Sequence, residues 1–215
     1  MTPATGTRLR ADAQRNRERI IDAAREALVQ DGPDAALDDI ARSACVGNAT
    51  LYRHFPDRDA LIRQVVLAVM DRVAAHGEAL LTDEPDAFEA LRHFVFAAAD
   101  ERVGALCPML TDHIDPGDPD VHAAQQRLHE VTGTTLERAR RSGQLRDDVE
   151  QGDLLVALSQ LTRPLPGTGC AEMRRYSHRH LLIFLDGLRA PAGSPLTGRA
   201  PTFDDLRGLV DRERG

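Results

Sequence analysis

From Ala11 onward the apolar residues recur at helical spacing, and no stretch alternates apolar with polar in the period-two manner of a half-buried strand. That pattern confines the chain to an all-α fold. Ile20, Ala24, Ala27 and Leu28 form a first stripe that ends at Asp31-Gly32-Pro33, where Gly supplies a stop and Pro cannot continue a helix. A first helix is therefore expected over about Asp12 to Gln30, behind a flexible basic arm at residues 1–11. Short helices follow over Asp38 to Ala44 and about Asn48 to His54, separated by the three-residue turn Cys45-Val46-Gly47. Pro56 closes the second of these. Asp57 is a suitable N-cap for a long fourth helix reaching about Leu80, with Ile62, Val66, Val69 and Val73 on one face.

Further helices are expected at Pro85 to Arg102, about Val103 to Asp112, Pro119 to Ser142, Gly152 to Leu165 and Ala171 to Leu188, making about nine. Leu154, Leu158, Leu161 and Leu165 stripe the penultimate helix. Met173, Tyr176, the run Leu181-Leu182-Ile183-Phe184-Leu185 and Leu188 make the last one apolar around much of its girth, which predicts burial inside the subunit and against a second copy. Candidate dimer contacts are Leu154, Leu158, Leu161, Tyr176, Leu181, Phe184, Leu185 and Leu188. Ala190 to Thr202, rich in Pro, Gly, Ser and Thr, has little to pack and opens an extended tail over 190–215, within which Phe203, Leu206 and Val210 would add one or two amphipathic turns. The expected division is a head at 12–56, a body at 57–189 and the tail.

The 215 residues, 42% of them apolar, suffice for a sizeable core. A net charge of -7 argues, taken whole, against a nucleic-acid partner. The charge is unevenly placed, however. Met1 to Arg58 holds nine Arg and nine acids, whereas Asp59 to Gly215 holds 18 Arg and 25 acids, so the deficit belongs to the body. Arg42, Arg53 and Arg58 surround the third helix with only Asp57 against them. All 27 basic residues are Arg, a bias that GC-rich codon usage accounts for. Cys45, Cys107 and Cys170 are odd in number and widely spaced, which gives neither a disulfide framework nor a zinc site and fits a reducing cytoplasm. The amino terminus lacks an export signal, and the apolar runs are too short for a bilayer, so a cytoplasmic protein with no membrane partner is expected.

Two short helices joined by a three-residue turn, the second bearing compact polar residues, form the layout of a DNA-reading helix-turn-helix. The residues sharpen it: Ile21-Asp22-Ala23-Ala24, Gly32, Asp39-Ile40-Ala41, then Val46 through Pro56, and Ala60-Leu61. Over about Arg15 to Val69 this closely resembles the amino-terminal domain of the TetR (tetracycline-repressor) family, most specifically in Thr50-Leu51-Tyr52-Arg53-His54-Phe55. Asp186 to Pro191 is similar to the end of the last helix in some actinobacterial-type members. The resemblance implies an Ω-shaped homodimer with small DNA-reading heads and a ligand-binding, dimerising body.

Asn48, Ala49 and Thr50 occupy the first turn of the third helix, nearest base edges, where Asn can bond adenine bidentately and Thr can offer its hydroxyl or methyl; these are the base-reading candidates. Gly47 leaves room for an approaching backbone and exposes helix-terminal amides to a phosphate. Arg42, Tyr52, Arg53, His54 and Arg58 are the further phosphate candidates, which position the head without reading sequence; for His54 the family's polar residue at that place is the reason. Leu51 and Phe55 read as head core. Tyr52 has a second reading as packing on the first helix, and Arg53 as a solvated surface charge. Three departures stand out: Ala36 replaces the Ser or Thr cap usual before the second helix, Asn48 replaces the usual Lys or Arg, and Cys45 replaces the usual Gly. Cys45 reads better as an accommodated small residue than as a redox thiol.

An effector pocket in the body would draw on Phe88, Leu91, Phe94, Met109, Leu110, Leu128 and Leu158, with His93, Arg102, Thr111 and His113 as orienting groups; most of these read equally well as ordinary core. The Asp- and His-rich segment 111–122 lacks calcium-loop spacing, and Asp118 has a capping role, so no metal or other cofactor is expected. Nucleophile elbows, phosphate loops and zinc-histidine pairs are missing from the sequence. The expected function is a ligand-responsive dimeric repressor of a double-stranded operator, released by a small molecule. Alternatives are a ligand-independent architectural DNA-binding dimer and, further off, a helical enzyme.

Overall fold

The computed structural model describes residues 4–104, 106, 113–162, 170–202 and 205, with side chains omitted at 4–10 and 170–174. Eight helices are complete among the described residues: α1 (Ala4–Asp31), α2 (Leu37–Ser43), α3 (Asn48–His54), α4 (Arg58–Asp83), α5 (Ala87–Asp100), α6 (Pro119–Arg141), α7 (Gln151–Leu161) and α8 (Cys170–Gly187). There is no β-strand among them. The helix expected over Val103 to Asp112 falls largely outside the described residues, as do Phe203, Leu206 and Val210.

Local chemistry sets most helix ends. Gly32, at φ +79°, ends α1, its N–H donating to the Leu28 carbonyl at 3.0 Å. The carboxylates of Asp57, Asp86 and Asp118 accept first-turn amides of α4, α5 and α6. Ala36 offers α2 no side-chain cap, and Asp38 and Asp39 supply negative charge to its first turn instead. At the other end of the chain's first helix the expectation is corrected: residues 4–11, read as a flexible arm, continue α1, since Pro3 is the last proline before Pro33.

One core runs through head and body. Ile20, Ala24 and Leu28 of α1, Ile40 and Ala41 of α2, and Leu51 and Phe55 around α3 close on Leu61, Ile62 and Val65 at the start of α4. Farther along, Val66, Val69, Met70 and Val73 serve the body, where α4 packs against α5 and α6. Gly77 sets that spacing, because a Cβ there would strike the side chains of Val131 and Phe94.

Ion pairs fasten the junctions. Glu101, just beyond α5, accepts from Arg25 of α1 at 2.8 Å and from Arg72 of α4 at 2.9 and 3.0 Å. Arg63 of α4 grips both Asp118 oxygens and reaches Asp120 at 2.6 Å. The Arg63 hydrogen bonds hold the Asp118 carboxyl at about 2, below the usual carboxylate range.

The segment after α8 packs more than its composition suggested. The Leu188 and Gln144 carbonyls accept from Arg146 and Ala190, Arg146 donates to the Ser194 carbonyl at 2.7 Å, and Asp148 accepts from the Leu196 amide at 3.0 Å. Residues 190–202 therefore lie against the α6–α7 connection. Gly152 sits where a Cβ would collide with the Pro201 carbonyl.

In the turn between α2 and α3, Cys45 is exposed and holds φ +53°, a left-handed conformation that costs a side-chain-bearing residue about 1–2 kcal/mol. Cys45→Gly is expected to gain about 0.5–1 kcal/mol in chemical denaturation, glycine's greater unfolded entropy offsetting part of the relief. Asp118→Ala, which removes the α6 cap and the Arg63 bonds together, is expected to lose about 2–3 kcal/mol, and Asp118→Asn, which keeps a capping oxygen, less. Because the folded-state value is depressed, this contribution is complete above the unfolded carboxylate value near pH 4 and fades as pH falls toward 2, so Asp118→Asn flattens the acid limb of the stability profile.

Candidate nucleic-acid interface and effector site

Helix α3 is seven residues long and two-faced. Leu51 is buried within it, and Phe55 is buried immediately after it, whereas Asn48, Ala49, Tyr52 and Arg53 are exposed and Thr50 is half-buried. The four exposed positions follow helical i, i+1, i+4, i+5 spacing and so share one surface. Tyr52, 48% exposed, is on that surface rather than packed beneath it. Arg53 has no hydrogen-bond or ion-pair partner among the described residues.

The neighbours of α3 differ in readiness. Arg42 pairs with Asp39 at 2.7 Å, but both side chains are largely exposed, a kind of pair that stabilises little and yields readily to a phosphate. Asn48 donates from Nδ2 to Oδ1 of Asp38 at 2.7 Å. At Gly47, φ is -76° and an added Cβ meets nothing within 4 Å, so the isolated chain does not require glycine there.

Two phosphate candidates are engaged or enclosed within the head. Arg58 donates through Nη1 to the carbonyls of Pro33 at 2.7 Å and Ala35 at 2.6 Å, fastening the α1–α2 connection to the start of α4. His54 is half-buried with Nε2 unpartnered, and burial, then the charges of Arg53 and Arg17, push it below the usual histidine range. With Nε2 buried, that nitrogen is closed to a phosphate. Arg17 lies 5.4 Å over the Phe55 ring and bonds Gln64 of α4.

In the body, Phe88, Leu91, Phe94 and Leu158 are buried core and Leu128 packs beside them. Arg189 stacks on Phe88 at 4.0 Å. His93 is half-buried, close to Glu84 and Arg92. His113 bonds Asp59 at 3.0 Å on the first turn of α4. Arg102 is buried at φ +61°. Met109, Leu110 and Thr111 lie outside the described residues. A half-open groove of about 460 Å³ does occur between α1, α4 and α6, floored by Leu67, Ala68, Ala123 and Ala124 and edged by Arg17 and Arg127, and it uses none of the expected pocket residues. The described carboxylates of 113–122 have structural partners: Asp115 accepts from the Gly117 amide, and Asp118 and Asp120 hold Arg63.

Among the dimer candidates, Leu154, Leu158, Leu181, Leu185 and Leu188 are buried inside the subunit, and Leu161 and Phe184 are half-buried. The outward face of α7 and α8 instead carries Val156, Tyr176 at 57% exposure, Leu182, and Ile183 at 61%. Val156, Leu182 and Ile183 were missed because a helix apolar all round gives no phase by which to divide inner from outer positions.

Comparison with known proteins agrees with this architecture. Residues 20–65 match the family described as bacterial regulatory proteins, tetR family, and residues 85–190 match the C-terminal domain of SbtR-like transcriptional regulators. A TetR transcriptional regulator from Streptomyces coelicolor is 30% identical, covering 82% of this chain and 99% of its own with a TM-score of 0.63. A TetR transcription regulatory protein from Mycobacterium vanbaalenii is also 30% identical, over 85% and 99% of the two chains, with a TM-score of 0.61. The regulator UidR of Escherichia coli K12 is 24% identical over 88% of this chain and 97% of its own. No described helix is long and apolar enough to cross a membrane. With its polar α3 face raised on a buried head core and its helical body behind, the chain belongs to the tetR family of DNA-binding transcriptional regulators.

Proposed function

We propose that the protein is a dimeric, ligand-responsive repressor of a pseudo-palindromic operator. The observation that carries the DNA-facing part is the exposed strip Asn48, Ala49, Tyr52 and Arg53 on a helix whose other side is locked into the head core. Asn48, Ala49 and Thr50 meet base edges; Arg42, Gly47, Tyr52 and Arg53 meet phosphates. Two copies join through the apolar face of Val156, Tyr176, Leu182 and Ile183, setting their α3 helices one helical repeat, roughly 34–36 Å, or a multiple apart.

Ligand response is supported by a relative and by a junction. The TetR-like regulator LfrR of Mycobacterium smegmatis, solved in complex with proflavine, is 26% identical over 78% of this chain and 95% of its own, with a TM-score of 0.54. In the present chain Glu101 joins the end of α5 to Arg25 and Arg72, so a displacement in the body reaches α1 and the head. A ligand acts only through unequal affinity for the two head separations. The closed packing of Phe88, Leu91 and Phe94 favours a second reading, a ligand-independent architectural dimer. A thermal-shift panel that begins with proflavine, followed by operator release, separates them: the repressor reading expects a compound that raises Tm and frees DNA, and the architectural reading expects none.

Arg53→Ala is expected to weaken binding to all duplexes alike and to lower the slope of log K against log salt by about 2 per dimer, one phosphate per head, in fluorescence titrations. Ile183→Asp is expected to yield folded monomers in analytical ultracentrifugation and to abolish tight operator binding; an intact dimer would place the interface elsewhere.

A further inference from the structure

Asp38 and Asn48 come from different helices of the head, the second residue of α2 and the first of α3, and both are exposed on the side that carries Ala49 and Arg53. Their contact has a chemical direction. An ionised carboxylate only accepts hydrogen bonds, so the Asn48 amide must turn its NH2 toward Asp38, at 2.7 Å, and its Oδ1 the other way. One N–H and the carbonyl oxygen then remain for a partner. In the major groove the base that satisfies both is adenine, which donates from N6 and accepts at N7; cytosine satisfies only the oxygen, and guanine offers acceptors alone on that edge.

We propose that Asp38 is a specificity-determining residue that locks the Asn48 amide into the orientation selecting adenine. The proposal rests on the reading of Asn48 as a base contact. Without Asp38 the amide turns freely and its NH2 also suits the acceptors of guanine, so discrimination falls. Asp38 exacts a cost as well, since its negative charge stands beside the approaching phosphates and weakens binding to every sequence. Removing it therefore moves two quantities in opposite directions: affinity for unrelated DNA rises while preference at one base pair falls. A residue that merely supported the fold would lower both.

The test uses the full-length dimer and an operator selected by the wild-type protein from a randomised duplex library. Dissociation constants are measured at fixed salt for every symmetric single-base variant of the half-site and for one unrelated duplex, with wild type, Asn48→Ala, Asp38→Ala, Asp38→Asn and the double variant Asp38→Ala/Asn48→Ala. Wild type is expected to prefer adenine at one position by about tenfold, the size of one bidentate contact. Asn48→Ala abolishes that preference; Asp38→Ala and Asp38→Asn each reduce it at least threefold at the same position while tightening binding to the unrelated duplex; the double variant is no flatter than Asn48→Ala. Asp38→Asn keeps the side chain's size at the uncapped start of α2 and carries the test if Asp38→Ala fails to fold. A profile unchanged by Asn48→Ala overturns the base-reading assignment and the inference with it. Loss of preference in Asn48→Ala, with the adenine preference intact in both Asp38 variants, overturns the inference alone. A wild-type preference for guanine, thymine or cytosine at the Asn48-dependent position overturns it too.

Discussion

Helix α4 belongs to two cores at once. Its first buried residues, Leu61, Ile62 and Val65, complete the head, and its later ones, Val66 through Val73, are covered by the body. Close packing leaves no slack between them, because side chains in a dense interior move as a unit or lose their contacts. The orientation of α3 is thus inherited from the seating of α4 against α5 and α6. Gly77 lets the helices approach, Arg63 ties α4 to the cap of α6, and Glu101 ties the end of α5 to α1 and α4. Each tie reduces the independence of head and body.

The parts legible in the sequence are those decided by near neighbours. Gly32 ends α1, Asp57 and Asp118 start the next long helices, and Leu51 and Phe55 turn inward because i, i+4 spacing on an amphipathic helix leaves little choice. What escaped was decided across the chain. Arg58 looked like a free cation beside α3, but its partners are carbonyls more than twenty residues earlier, exposed by the Pro-containing return from α1. His54 carries a polar name, yet its ring is tucked beside Phe55 and its pKa is pushed down by burial. The leucines of α8 were read as an interface when the helix is rotated to put Leu181, Leu185 and Leu188 inside and Leu182 and Ile183 outside. Hydrophobic pattern finds such a helix but does not orient it.

Charge follows the same division between local and distant. Lys is absent, so the head's cationic side chains are Arg, whose planar forks are readily recruited by carbonyls and carboxylates within the protein. Arg58 and Arg17 are spent on the fold, Arg42 is half-committed to Asp39, and Arg53 stands unengaged among the described residues. The electrostatic face offered to DNA is therefore smaller than the count of nine arginines through residue 58 suggests.

The return of residues 190–202 across the α6–α7 connection bears on the order in which the molecule matures. The head needs α1 to α3 and the beginning of α4, all of which leave the ribosome early, and domains form from the amino-terminal side as synthesis proceeds. Helix α7, by contrast, is seated against the Pro201 carbonyl, with Arg146 and Asp148 nearby waiting for Ser194 and Leu196, residues made after α8. A nascent chain thus completes the residues of its helix-turn-helix before it makes those that seat α7.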